Sequence, residues 1–306
     1  MAFHFLRVAT FVVAAYGTTA LGADPVEFVH LSDTHVIDST GFQPRIVEQR
    51  AMYGKAVAGL TGYLASLKAN PPAFVLITGD LADGFSFETP TGFREGQIEL
   101  FQRIVAASPV PVYLTLGNHD VQRYRADPAA DKPAGDEAAA PEARAAWRAA
   151  LPRFHDGTYY SFRKQVGNTR YRFLMLDDGS AQDKAFAEAQ LRWLERQIAD
   201  SGSDRLIAAM HIPLDQTAYT KAIKETLRKA GNLVLVLAGH RHSDGIEEID
   251  LGDRKVIQVR TAIFATNPAN FRCLRLFEDR IEVAATGRRT SLEKTIAVPV
   301  MAGAAH

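Results

Sequence analysis

Five short apolar runs, each ending abruptly in residues of metal-ligand type, constrain this chain more than any other feature. Val26 to Leu31 runs into Ser32-Asp33-Thr34-His35, and Phe74 to Thr78 into Gly79-Asp80. Val112 to Leu116 ends in Gly117-Asn118-His119-Asp120, and Leu206 to Met210 in His211-Ile212-Pro213. Leu233 to Ala238 ends in Gly239-His240-Arg241-His242. An apolar run of roughly four to eight residues closed by a turn residue reads as a buried strand. In open α/β sheets, ligands bind just past the C-terminal ends of such strands.

The residue types at those tips narrow the chemistry. Asp33, His35, Asp80, Asn118, His211, His240 and His242 offer imidazole, carboxylate and one amide oxygen, and no thiolate. That mixture suits Mn, Fe or Zn better than Ca, which takes oxygens, or a Cys-type structural zinc site. Seven donors are too many for one tetrahedral ion and suit two ions that share a carboxylate.

Between the tips the chain alternates. Ile46, Val47, Met52, Ala56, Leu60, Tyr63, Leu64 and Leu67 trace a helical stripe, so one long helix is expected over Arg45 to Ala69, stopped by Asn70-Pro71-Pro72. A second helix is expected around Arg94 to Ala107. Strand, helix, strand, helix, strand is the order of a parallel α/β arrangement. Val121 to Pro152 breaks the rhythm. It is rich in Ala, Pro and charge, and is expected to be an inserted loop with a short helix around Glu142 to Ala150. Following His119 directly, it should overhang the site, either as a source of specificity or as a solvated excursion.

Further on, Tyr159 to Phe162 and Tyr171 to Leu176 pair as a hairpin through Gly167-Asn168. Helices are expected over Ala185 to Ala199, with Trp193 packing, and around Tyr219 to Lys229. Gly245 to Ile249, Val256 to Arg260, Cys273 to Phe277 and Ile281 to Ala285 read as antiparallel strands. The end, residues 291–306, is expected to be a loosely held tail.

The 306 residues suffice for one large domain or two small ones. The formal net charge is +0, so no electrostatic footprint for bulk nucleic acid is present. The single cysteine, Cys273, excludes an intrachain disulfide and reads as a small buried hydrophobe. At the start, Arg7, the apolar Val8 to Ala15 and the small residues Ala20, Gly22 and Ala23 read as a secretory signal cleaved near residue 22 or 23. The alternative is an uncleaved anchor, but the apolar run is short for a span of roughly 20 residues. The expected organisation is therefore an export segment (1–23), one domain (24–290) and the tail. The mature protein would be periplasmic or secreted, with no membrane attachment.

Asp33-x-His35, Gly79-Asp80, Gly117-Asn118-His119-Asp120, His211 and Gly239-His240-x-His242 stand in the order and approximate spacing of a known family. From about Val26 to about Val259 the chain resembles the calcineurin-like metallophosphoesterases. The resemblance implies an α/β fold, a sandwich of two mixed β-sheets flanked by helices. It implies two divalent or trivalent ions (Mn, Fe or Zn), one held by Asp33, His35, Asp80 and His242, the other by Asp80, Asn118, His211 and His240, with Asp80 bridging. The activity it implies is hydrolysis of small-molecule phosphodiesters or phosphomonoesters, diesters favoured, by attack of a metal-bridging hydroxide.

The family pattern leaves His119 next to a ligand without being one, and an imidazole that titrates near neutrality can serve there as general acid. Asp120 is expected either to orient it through the other ring nitrogen or to cap a helix. Arg123 and Tyr124 are candidates to touch the phosphate. Purple acid phosphatases carry a tyrosine three residues after the bridging aspartate; Asp83 stands at that position here, so a tyrosinate-ligated ferric site is not expected. Two other classes stay open: an exported metal-binding module without turnover, which the intact His119 argues against, and a dinuclear hydrolase of non-phosphorus esters. Of the other histidines, His30 reads as a satisfied core residue, His155 and His306 as surface, and His4 belongs to the export segment.

Overall fold

A computed structural model describes residues 23–299. The expected export segment lies, but for Ala23, outside the described residues, as does the end of the chain from Val300. In chain order the first half forms β1 (Val26–Leu31), α1 (Pro44–Gln49), α2 (Ala56–Ser66), β2 (Phe74–Thr78), β3 (Ser86–Thr89), β4 (Gly92–Arg94), α3 (Gln97–Ala106), β5 (Val112–Thr115), β6 (Arg123–Arg125), β7 (Ala134–Asp136) and α4 (Ala140–Ala150). The second half forms β8 (Tyr160–Val166), β9 (Thr169–Met175), α5 (Lys184–Ala199), β10 (Arg205–Ala209), α6 (Ala218–Leu227) and β11 (Leu233–Ala238). It closes with β12 (Gly245–Asp250), β13 (Lys255–Arg260), β14 (Arg272–Leu276), β15 (Arg280–Ala284) and β16 (Leu292–Ala297).

Two six-stranded sheets result, in the orders β16-β15-β14-β1-β2-β5 and β12-β13-β11-β10-β9-β8. Both are mixed. β1, β2 and β5 run parallel while β14 joins β1 antiparallel. β9, β10, β11 and β13 run parallel, with antiparallel β8 and β12 at the edges.

The period of two along a strand explains why the runs are apolar throughout: successive side chains serve different cores. Phe28, Phe74 and Leu76 turn inward to meet Phe173, Met175, Ile207 and Leu237 of the facing sheet. Their neighbours Val29, Leu31, Val75 and Ile77 turn outward to pack with Leu60, Leu64, Phe101 and Trp147 from the helices. On the far side Leu174, Leu206, Ala208 and Val236 lie with Leu194, Ile223 and Leu227 of α5 and α6. The expected sandwich of two mixed sheets flanked by helices is what forms. His30, inside β1, is a satisfied core residue as expected: its ring nitrogens lie 2.8 Å from the hydroxyls of Thr78 and Thr261.

Four expectations need correction. The helix over Arg45 to Ala69 is broken into α1 and α2, because the chain turns Arg50 and Tyr53 inward between them. In Val121 to Pro152 the expected short helix forms as α4, but the stretch before it is not simply a loop. β6 and β7 join β3 and β4 in a small third sheet, order β4-β3-β6-β7, and α4 packs with its Trp147 fully buried. This stretch is clamped at two points: Trp147 Nε1 donates to the Asp120 carbonyl at 2.8 Å, and Arg144 grips Asp177 through Nε and Nη2 at 2.9 and 3.1 Å. The third sheet is itself the third correction, since nothing in the short segments Ser86–Thr89 and Gly92–Arg94 signals strands. Finally, the supposed tail supplies β16, paired antiparallel to β15.

Candidate metal centre

Parallel pairing carries the strand tips to one place. β1 and β2 pair in register through Leu31 and Ile77, and the pairing continues beyond the strands: Asp33 N donates to Gly79 O and His35 N to Asp80 O, at 3.1 and 2.9 Å. Two bonds then tie the sheets together at the site. His211 Nδ1 donates to the Thr78 carbonyl at 2.8 Å, and His240 N to Asp33 Oδ2 at 3.1 Å. Space is tight. A carbon added at Gly79, whose φ is +73°, would lie 2.5 Å from His211 Cβ. One added at Gly117 would strike Asp80 Oδ1 and the Asp80 main-chain nitrogen.

The side chains gather into three overlapping clusters. Asp33, His35 and His242 form one, Asp80, His211 and His240 another, and His35, Asp80 and His119 a third. Asp33 Oδ1 lies 3.4 Å from His242 Nε2 and 3.9 Å from His35 Nε2. Asp80 Oδ2 lies 3.1 Å from His211 Nε2 and 3.8 Å from His35 Nε2, so a single oxygen faces both groups. His240 Nδ1 is 3.2 Å from His211 Nε2. Six of the seven residues expected as ligands thus lie around this centre, and Asn118 lines the same cavity as His240.

The donor set fits cations on two further counts. Asp33 Oδ1, His35 Nε2 and Asn118 Oδ1 are buried polar atoms without a hydrogen-bond partner. Buried polar groups are normally paired, so three unpaired atoms within one expected ligand set, two of them 3.9 Å apart, fit a positive partner. Backbone strain marks the same positions. Among the described residues, six that are not glycine have positive φ, and five of them are Asp33 (54°), His35 (37°), Asp80 (47°), His240 (68°) and His242 (57°). Such conformations persist only where the surroundings over-determine them, and they concentrate at functional sites.

His119 sits beside this centre, and its partner is not the expected one. Asp120 accepts main-chain N–H bonds from Leu81, Ala82 and Gly117 at 3.1, 2.9 and 2.8 Å. It fastens two strand tips together, neither orienting His119 nor capping a helix. The orienting residue is Asp83. His119 Nδ1 lies 2.9 Å from the Asp83 carbonyl and 3.2 Å from its Oδ1, with the Tyr124 hydroxyl 3.0 Å away. The same Asp83 oxygen takes His35 Nδ1 at 3.1 Å, which turns His35 Nε2 to the centre, and Asp83 Oδ2 is 3.0 Å from Arg50 Nε. Tyr53 stacks flat on His35, with ring centroids 4.4 Å apart. Burial acts to lower the His119 pKa, but the Asp80 charge and the Asp83 carboxylate outweigh it and hold it above the usual imidazole value.

Sequence reasoning missed Arg50, Tyr53 and the role of Asp83. The only signal was the place of Asp83, three residues after Asp80. Of the two candidate phosphate contacts, Arg123 pairs with Glu142 at 2.8 Å, and Tyr124 is buried with its hydroxyl 3.0 Å from His119 Nδ1.

Residues 26–244 match the sequence profile of the calcineurin-like phosphoesterases. No curated protein sequence matches the chain. Among solved structures, the fold resembles a dimetal phosphatase from Danio rerio, at TM-score 0.60 and 17% identity over 90% of this chain and 100% of the other. It also resembles a purple acid phosphatase from yellow lupin (Lupinus luteus) seeds, at TM-score 0.52 and 12% identity over 90% of this chain and 54% of the other.

Proposed function

The chain belongs to the calcineurin-like phosphoesterase family, and from that premise we propose that it is a dinuclear-metal hydrolase of small-molecule phosphoesters. The observation that carries the reading is the single Asp80 oxygen facing both His35 and His211. Asp33, His35, Asp80 and His242 would hold one ion, and Asp80, Asn118, His211 and His240 the other. Mn, Fe or Zn suits these donors. Bound there, the pair supplies positive charge for a phosphoryl group and lowers the pKa of water, to roughly 7 in the zinc case. Diesters are favoured over monoesters, and export to the periplasm or beyond belongs to the same reading.

The chain's own residues handle the leaving group. With Nδ1 committed to Asp83, His119 keeps Nε2 for proton delivery to a departing alkoxide. Asp83 sets the ring's tautomer and raises its pKa. A general acid works in its protonated form, so kcat falls as pH rises through the His119 pKa. Asp83→Asn removes a charge that raises this pKa and should move that alkaline limb to lower pH, with metal content measured alongside. A limb that stays in place would remove Asp83 from the proton-delivery step.

The reading is tested on chelator-stripped protein. Hydrolysis of bis-p-nitrophenyl phosphate or p-nitrophenyl phosphate should be lost on stripping and return with added Mn. Turnover of p-nitrophenyl acetate alone, with both phosphoesters untouched, overturns it.

A further inference from the structure

Beside Asn118 and His240 opens a cavity of about 440 Å³. Gln122 and Glu137 line it on one side and Ser180 and Ala181 on another, and Ile212 with Thr217 to Tyr219 completes the wall. The two sides are tied: Ser180 Oγ donates to Glu137 Oε2 at 2.8 Å. A second carboxylate, Asp178, is buried and accepts the main-chain N–H groups of His211 and Ile212 at 2.9 and 2.7 Å. Among the described residues that line the cavity, none is Lys or Arg. Arg241, between the two histidines of the last tip, donates from Nε to Gln216 Oε1 at 3.1 Å.

The cavity therefore carries the Glu137 carboxylate and no Lys or Arg in its lining, although it adjoins a centre built to receive an anion. A substrate group carrying its own phosphate or carboxylate would meet Glu137 with no Lys or Arg in the lining to offset it, and like-charge juxtaposition is disfavoured. A group bringing hydroxyl or ammonium donors would find acceptors instead. We propose that this cavity holds an alcohol portion of the phosphoester and selects hydroxylated or amino alcohols over alcohols bearing a further anionic group, with Glu137 as the discriminating residue. The proposal rests on the phosphoesterase reading and adds a substrate class to it.

The test compares kcat/KM within pairs that differ by one carboxylate. The pairs are glycerol 3-phosphate against 3-phosphoglycerate, and glycerophosphoethanolamine against glycerophosphoserine. The nitrophenyl phosphoesters run alongside. In whichever pair is hydrolysed, the carboxylate-free member should be preferred at least tenfold. Glu137→Lys should shrink that ratio below threefold. Ala181→Lys, on the exposed rim, should do the same and carries the test if the first variant does not fold. Equal rates in the unmodified protein overturn the proposal, as does a ratio indifferent to the lysines. Turnover of the nitrophenyl esters with all four natural esters untouched also overturns it. Failure on the nitrophenyl and the natural phosphoesters alike sinks the phosphoesterase reading, and the subsite with it.

Discussion

Asp80→Asn should empty both metal positions at once while leaving a folded protein. Asp80 is the one side chain whose oxygen faces both histidine clusters, at 3.1 Å from His211 and 3.8 Å from His35. Its other oxygen accepts the His119 main-chain N–H at 2.9 Å. An asparagine keeps that second bond and the volume, so the tip of β5 stays in place. What it loses is the shared negative charge, and its amide would point hydrogens where a cation belongs. Loss of an outer partner of a metal site costs roughly 10- to 100-fold in affinity or activity; removal of the carboxylate common to two ions should exceed that. Elemental analysis beside a thermal melt checks it. A variant that melts normally and still carries two equivalents of metal would show that Asp80 does not bridge.

His119→Ala should do the reverse, keeping the metals and losing turnover. The fall in kcat should be about 10²- to 10⁴-fold, the usual contribution of a positioned general acid. It should be steeper for alkyl esters than for nitrophenyl esters, because nitrophenolate needs less help to depart. The geometry makes the experiment decisive. His119 lies within reach of His35 and Asp80, close enough that a ligand role is a real competitor. Its Nδ1, however, is already bonded to the Asp83 carbonyl. Metal content that drops in this variant would make His119 a ligand and leave the proton donor unassigned.

The strand tips were legible in the sequence because buried parallel strands must be apolar on both faces, so each run ends visibly where its polar residues begin. Their convergence followed from the parallel order. What was not legible turned on direction more than on residue type. Asp120 stands next to His119 in the chain, yet the short helical turn it occupies points its carboxylate back at the Leu81 and Ala82 amides. Asp83, 36 positions from His119, is the one that reaches the ring. The helical stripe from Ile46 to Leu67 predicted one rod, because periodicity does not register that Arg50 must turn inward to pair with Asp83, or that Tyr53 must lie on His35. The strands of the third sheet are three or four residues long, too short for alternation to declare itself.

The two glycines at the tips of β2 and near β5 have a consequence for how such a centre can change. Gly79 and Gly117 contribute no donor atom, yet a methyl group on either would press on His211 or on Asp80. Alanine there acts on the pocket as a wedge, spreading the donors it stands behind. A mutational survey that scores positions by lost activity will rank these two with the histidines and aspartates, because the missing side chains leave the room that His211 and Asp80 occupy.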